Sequence, residues 1–343
     1  MMKSIVTLGE LMLRLSPPDS QRIAQAISFD LTFGGSEANV AVSIAGFGQK
    51  VEFVSRMPEN DISQAAKINL KKQGVGTKHI LLGGDRLGIY YLENGASLRG
   101  SKVIYDREHS GMATLQPGMI DWDIVFENCK WFHWSGITPA ISDGAAKACA
   151  EAIDHAKAKS ITISTDLNYR QKLWKYGKQA NEVMPEMVAK SDVMLGDVDT
   201  CEKLFGIKVQ GVNTARPLEP GELEPWCQMV QQEFPNLKVI ASTLRHIKNA
   251  SENNWSGVLY ESKNFYQSPW YNISNIVDRV GAGDAFMGAL IYKLSKTSPN
   301  NQEALDFAVA ASALKHTISG DFNLITEQEV NDLLAGARGK ISR

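Results

Sequence analysis

The sequence predicts an α/β protein built on a doubly wound, mostly parallel sheet, with a small β-sheet lid beside it. Three observations carry this. Short buried runs rich in β-branched residues alternate with helical patterns along most of the chain, as in a sheet covered on both faces. A texture of short strand-like pieces and turn residues interrupts that alternation at about 11–33 and 78–111. Two glycine-led helix entrances, Gly34-Gly35-Ser36 and Gly281-Ala-Gly-Asp284, stand near opposite ends of the chain. The 343 residues suit one such domain over 1–343.

Taken in order, Ser4–Leu8 reads as a first buried strand running into Gly9-Glu10. The stretch from Leu11 to Phe33 alternates weakly and contains Pro17-Pro18, which argues against a core helix. Ser36 is placed to cap a helix over 37–46, whose small apolar residues suit close packing on a sheet. A strand at 51–55 and an amphipathic helix at 61–73, stopped by Gly74, follow. Residues 80–82, 88–92 and 103–105 are strand-like, and Asn94-Gly95 predicts a tight hairpin turn. This region and 11–33 are expected to make the lid. Strands at 131–135, 161–166, 193–195 and 239–242 then alternate with helices at 142–157, 181–189, 200–205 and 224–233. The polar stretches 206–222 and 245–254 read as loop-like insertions, and three helices (285–294, 302–317, 327–334) close the chain.

Lys plus Arg number 36 and Asp plus Glu 38, a net charge of −2, which argues against a broad nucleic-acid or membrane-binding surface. No apolar run approaches the roughly 20 residues that span a bilayer. The N-terminal segment reads as a strand rather than a signal peptide. Cys129, Cys149, Cys201 and Cys227 are scattered without metal-binding spacing, so reduced thiols and a cytoplasmic location are expected.

Orphan N–H groups and the positive end of the helix dipole make a helix entrance an anion site. Gly281, Ala282 and Gly283 would present such groups with little side chain in the way. Asp284 then needs a reason. A carboxylate beside bound phosphate is repelled unless it acts there, for example by taking a proton from an attacking hydroxyl. By itself the tetrapeptide is equally a glycine turn with Asp284 as a helix cap. Gly34, Gly35 and Asn39 make a second entrance, where the backbone can approach a ligand and an amide can donate and accept. Asp166-Leu-Asn168-Tyr-Arg170 gathers an acid, an amide and a guanidinium at one strand end. Arg170 could hold a carboxylate or phosphate, or make an ordinary surface ion pair. Ligands of parallel sheets sit beyond the carboxyl ends of the strands, and Asp166–Arg170, Asp197, Thr243 and Asp284 all follow predicted strands. In the lid, alternation sends Tyr105 and Arg107 to one face near Tyr90 and Tyr91, which suits an acidic, hydroxylated small molecule. Trp131, His133 and Trp134 read as core or rim rather than catalytic.

Gly34-Gly35-Ser-Glu-Ala-Asn39 and Asp278-x-x-Gly281-Ala-Gly-Asp284, in this order around an alternating middle, resemble the two signatures of the ribokinase-like (PfkB) carbohydrate kinases. The resemblance covers nearly the whole chain. Within the family, Gly34, Tyr105-x-Arg107, Ser135-Gly-Ile-Thr-Pro139, Asp166-x-Asn168-Tyr-Arg170 and Trp174 look most like the kinases of 2-keto-3-deoxygluconate. The resemblance implies ATP-dependent phosphorylation of that sugar acid at its terminal primary hydroxyl. Asp284 would be the base, the N–H groups of Gly281, Ala282 and Gly283 would hold developing charge, and Mg²⁺ would bridge phosphates; a monovalent cation is left open. It implies sugar contacts from Gly34, Gly35, Asn39, Tyr90, Tyr105, Arg107, Arg170 and Asp321, and nucleotide contacts near Asn168, Asp197, Thr243 and Ala308. Two departures stand out. The family's Asn-x-x-Glu element reads Asp197-Val-Asp199-Thr200 here, which leaves metal support to Asp197 or Asp199. A usual glycine-containing turn is replaced by Thr243-Leu-Arg245, with Arg245 placed to reach a phosphate. The rival readings are a kinase of the same fold acting on fructose, tagatose or a nucleoside, and a sugar-acid-binding regulator without catalysis. The lid's exposed edge predicts a homodimer in which two lids pack together.

Overall fold

The computed structural model describes residues 3–214 and 216–336; the rest of the expected 1–343 domain lies outside the described residues. Strand β1 (Ser4–Leu8) is buried throughout, and its side chains alternate between two cores. Ile5 joins the cluster on one face of the sheet, and Val6 and Leu8 join the cluster on the other. Past Gly9-Glu10 the chain leaves this sheet to form the antiparallel pair β2 (Met12–Ser16) and β3 (Asp30–Gly34), then enters α1 (Ser36–Gly46). Strand β4 (Val51–Met57) returns parallel to β1, and α2 (Asp61–Lys72) follows with Asn60 as its cap.

Strand β5 (Ile80–Leu82) pairs parallel with β4, so it extends the main sheet instead of joining the lid as its texture suggested. Strands β6 (Ile89–Glu93) and β7 (Lys102–Asp106) complete the lid, whose order is β3-β2-β6-β7. The tight turn expected at Asn94-Gly95 is absent. The register pairs Glu93 with Lys102 and leaves residues 94–101 as a longer connection. An Arg99–Glu93 ion pair (2.9 Å) and a bond from Gly95 N to Ser101 Oγ (3.0 Å) hold its base.

The middle of the chain supplies α3 (Trp122–Val125), β8 (Cys129–Ser135), α4 (Ile137–Ile141), α5 (Asp143–Ala158), β9 (Thr162–Asp166), α6 (Ala180–Val188), β10 (Val193–Leu195), α7 (Val198–Phe205) and α8 (Glu224–Glu233). Strand β11 (Val239–Asn249) and its antiparallel partner β12 (Glu252–Glu261) occupy the stretch expected to be a polar loop. Leu244 and Trp255 are buried while Arg245, Ile247 and Lys248 face water. One solvated face had made two long strands look like a loop. Strands β13 (Asn264–Gln267) and β14 (Tyr271–Ile273) also pair with β12, and α9 (Ala282–Leu294), α10 (Asn301–Lys315) and α11 (Glu327–Leu334) complete the described chain.

The main sheet runs β13-β12-β11-β10-β9-β8-β1-β4-β5, parallel from β11 to β5, with a four-stranded lid apart from it: the doubly wound architecture expected. Chain order runs outward in both directions from β1, so a topological switch point lies between β1 and β8. Helices α1, α9 and α10 pack on one face of the sheet, and α5 to α8 on the other. Helices α1 and α9 come unusually close. A side chain at Gly288 would strike Ser43 and the Val40 carbonyl, so glycine is what lets these two helices bring their N-termini together. Among the described residues no helix is long and apolar enough to cross a membrane, and the four cysteines are free and buried.

Candidate active site

The two glycine-led entrances meet. Asp284 lies in the first turn of α9, but it does not cap its own helix. Gly281 occupies the N-cap position with φ +82°, a left-handed conformation that glycine adopts without strain. Its α-carbon also lies against the Asp321 backbone carbonyl, where a Cβ would not fit. The Asp284 carboxylate instead faces α1. Its Oδ1 accepts a hydrogen bond from Ser36 Oγ (2.8 Å), and its Oδ2 accepts one from Asn39 Nδ2 (2.7 Å). Ser36 is therefore inside α1, with Gly35 before it, and its hydroxyl serves the carboxylate rather than the helix end where it was expected. Asn168 Nδ2 donates to Ser36 Oγ (3.0 Å), extending the chain of bonds from the end of β9 to Asp284. Burial raises the Asp284 pKa, while the bonds from Asn39 and Ser36 pull it back. Gly283 has open space where a side chain would stand. Among the described residues the N–H groups of Gly281 and Gly283 meet no acceptor, and that of Ala282 makes only a long bond to Arg279 O (3.4 Å).

The lid is tied to this turn by buried charge. Arg14, on β2, donates to Asp321 Oδ1 (2.7 Å) and to Asp278 Oδ2 (2.6 Å), and Tyr90 on β6 donates to Asp321 Oδ2. Burial opposes the Arg14 charge, but the two carboxylates outweigh it and hold the guanidinium protonated above its ordinary range. Asp321 and Tyr90, both expected to touch sugar, are thus engaged with each other and with Arg14. Gly34 passes against the Asp321 carboxylate, which leaves no room for a side chain there. Arg107 makes a buried ion pair with Glu10, through Nε (2.8 Å) and Nη2. Its guanidinium also lies 5.8 Å above the ring of Tyr105, so these two side chains do share a face. Tyr105 is half exposed.

At the strand ends, Asp166 is pushed up to about 7, first by burial and then by the charge of Asp284. Arg170 is exposed and makes one hydrogen bond, to Tyr169 O (3.2 Å), and no ion pair among the described residues. Its charge reaches both Asp284 and Asp166, so it faces the same cleft. Arg245 is exposed and has no ion-pair partner among the described residues; desolvation and the like charge of Arg170 lower its pKa. Thr243 is half buried on β11. Asp197 caps α7, accepting from Thr200 N (2.8 Å) and Thr200 Oγ1 (2.7 Å), and Asp199 is exposed in the first turn of that helix. Ala308, expected near a nucleotide, is fully buried in the core on α10. No three His, Cys, Asp or Glu side chains among the described residues converge closely enough to hold a metal ion by themselves.

Sequence reasoning missed Glu10, Arg14 and Glu37. Glu37 is fully buried; its Oε1 accepts from Ser135 N (3.2 Å), Ser135 Oγ (2.7 Å) and Thr138 Oγ1 (2.9 Å), which fastens α1 to the turn after β8. The available signal was a charge inside an apolar run, such as Arg14 among Met12, Leu13 and Leu15. His133 is buried, bonded to Ser164 Oγ (3.0 Å) and pushed down to about 3 by burial, a core residue as expected.

A half-buried carboxylate held by the entrance of α1 thus stands beside the sparsely bonded N–H groups at the entrance of α9, with the β lid tied to the same turn. The pattern of the pfkB family carbohydrate kinases matches residues 2–224 and 256–327, and the chain belongs to that family. It is similar to the 2-dehydro-3-deoxygluconokinase of Thermotoga maritima, whose crystal structure superposes with a TM-score of 0.92 at 42% identity, covering 98% of this chain and 100% of that one. It is 31% identical over 344 residues to the 2-dehydro-3-deoxygalactonokinase of Haloferax volcanii, covering 100% of both. The 2-dehydro-3-deoxygluconokinase of Thermoproteus tenax is 26% identical over 338 residues, covering 97% of this chain and 94% of that one.

Proposed function

We propose that the protein transfers the γ-phosphoryl group of ATP to the terminal primary hydroxyl of 2-keto-3-deoxygluconate (2-dehydro-3-deoxygluconate). The observation that carries the substrate class is Arg170, an exposed guanidinium whose charge reaches Asp284 and which forms no ion pair among the described residues. A sugar acid supplies one, whereas a neutral hexose does not. Arg107 is already paired with Glu10, so it contributes orientation at the lid rather than a free charge. The relatives named for 2-dehydro-3-deoxygluconate support the same choice.

In this reading Asp284 takes the hydroxyl proton as the oxygen attacks. Ser36 and Asn39 fix the carboxylate, and burial makes it a stronger base than an exposed aspartate. The N–H groups of Gly281, Ala282 and Gly283 receive charge that develops on the phosphoryl oxygens. Arg245 would take a phosphate oxygen, an anion that would offset its repulsion with Arg170. Mg²⁺ arrives with ATP as part of the substrate. The hard carboxylate oxygens of Asp166, at the end of β9, would suit that ion. The lid excludes water from the transfer.

The 4-epimer, 2-keto-3-deoxygalactonate, is a second reading favoured by the name of the Haloferax relative. The test is turnover of both sugar acids and of fructose with MgATP, with phosphorus NMR to place the new phosphate. The sugar acid should exceed fructose in kcat/KM by at least about a hundredfold; fructose as the better acceptor would end the proposal. The lid exposes Leu31 on β3 and Ile104 on β7 on one face, and a second copy of this chain covering it is part of the same reading.

A further inference from the structure

The charge balance behind the N–H turn involves a lysine to which catalysis as described gives no part. Lys315 is the last residue of α10 and is fully buried. A lysine at a helix C-terminus ordinarily keeps its ammonium in water while favouring the dipole. This one lies beneath the turn. Ser312 Oγ, one helical turn earlier, donates to Ala282 O (2.7 Å). The carbonyl of His316, the next residue, accepts from Val277 N (2.8 Å) and Asp278 N (3.3 Å). The ammonium itself donates to Ile318 O (3.1 Å). Helix α10 is therefore stapled to the turn on both sides of Lys315.

An ammonium has three donors, and among the described residues this is the one bond it makes. Arg14 engages Asp278 and Asp321, and Lys315 forms an ion pair with neither among the described residues. The charged groups facing it are Asp278, Asp321 and Asp284, which attract it, and Arg14, which repels it. Burial pushes the lysine pKa down against that attraction. His316 beside it is pushed down to about 4 by burial, so it adds no charge. Without Lys315, Asp278 and Asp321 would be opposed behind the turn by Arg14 alone, and Asp284 by Arg170 from the exposed side, just where phosphate must enter. A buried ammonium without a direct carboxylate partner is a poor stabilising device, since an apolar residue of similar volume is often neutral or better.

We propose that Lys315 is a positioning residue for phosphoryl transfer: its buried ammonium offsets the carboxylates around Gly281–Asp284, so the turn can accept phosphate oxygens while Asp284 stays ionised. This rests on the kinase reading of the site, and it assigns Lys315 an electrostatic role exerted through the turn, without contact to substrate.

The test uses the full chain with Lys315→Met and Lys315→Ala, assayed with whichever sugar the wild type turns over best. Lys315→Met should fold with an unchanged or higher Tm, lose at least about tenfold in kcat, and leave the KM for sugar within about twofold. MgATP should bind several-fold more weakly, and the acid limb of kcat should move to higher pH, because Asp284 loses a neighbouring cation. Lys315→Ala should regain part of its rate in ammonium or methylamine, at concentrations that leave wild type and Lys315→Met unaffected. A Lys315→Met enzyme with wild-type kcat and pH profile would overturn the proposal. So would activity lost only in step with unfolding, with no amine rescue and an unmoved acid limb. Failure of the wild type to phosphorylate any sugar would defeat the kinase reading separately, and an unchanged MgATP dissociation constant in the variants would then overturn the role of Lys315 as well.

Discussion

Ser36→Ala removes one of the two bonds that hold Asp284 and leaves the other. Ser36 Oγ donates to Oδ1 at 2.8 Å, and Asn39 Nδ2 to Oδ2 at 2.7 Å. Both donors favour the ionised carboxylate, against the burial that raises its pKa. A hydrogen bond to a charged group contributes about 1.5–3 kcal/mol, and one pKa unit corresponds to about 1.4 kcal/mol. In a half-exposed cleft the lower end applies, so losing Ser36 should raise the Asp284 pKa by about one unit. The base works only when ionised, so the sign is fixed. Activity lost as pH falls through that pKa will be lost at a higher pH in the variant. The plateau at high pH should drop less than about tenfold, because Asn39 still orients the carboxylate. Initial rates of ADP release at saturating sugar, from about pH 5 to 9, measure both quantities. An acid limb that stays in place, or a loss equal at every pH, would refute the assignment of Asp284 as a base governed by Ser36.

Asp284→Asn should reduce kcat by about 10²–10⁴ while circular dichroism shows an intact fold; a loss under tenfold would remove the base from the mechanism. Glu37 gives a pH-dependent stability. Burial raises its pKa to about 7 from an ordinary 4.5, so the stability it contributes is present at low pH and lost as pH rises through that window. Glu37→Gln keeps the bonds from Ser135 and Thr138, and it should gain about 3 kcal/mol on wild type between pH 4.5 and 8 in denaturant melts; a pH-independent difference would contradict this. Ile104→Asp, on the exposed lid strand, should convert a dimer into a monomer by light scattering at micromolar concentration. A monomeric wild type would count against lid pairing.

The architecture was legible because strands buried on both faces are short, apolar and separated by helices, and β1, β8, β9 and β10 fall where those runs lie. The N–H turn was legible because Gly281 and Asp284 fall within four consecutive residues. The strand pairing of residues 245–254 was not, since one face of that hairpin is solvated and its polar residues resemble a loop. Asn94-Gly95 has the chemistry of a tight turn, yet the pairing of Glu93 with Lys102 sets the length of the connection. The long-range ion pairs were invisible for a different reason. Arg14 meets Asp278 and Asp321 only after the chain has folded, and no local pattern encodes which carboxylate a buried arginine will find. The same applies to Ser36, whose place before a helix suggested a cap and whose partner lies far along the chain.

The claim that matters most is that Arg170 reads a carboxylate while Asp284 activates the hydroxyl. It is tested most directly by kcat/KM for 2-keto-3-deoxygluconate and for fructose in wild type and Arg170→Met. Removing the guanidinium should lower kcat/KM for the sugar acid by about 10–100-fold, from a lost charge-assisted hydrogen bond of about 1.5–3 kcal/mol, and change that for fructose by less than about threefold. An equal loss with both sugars, or none with the sugar acid, would contradict the account.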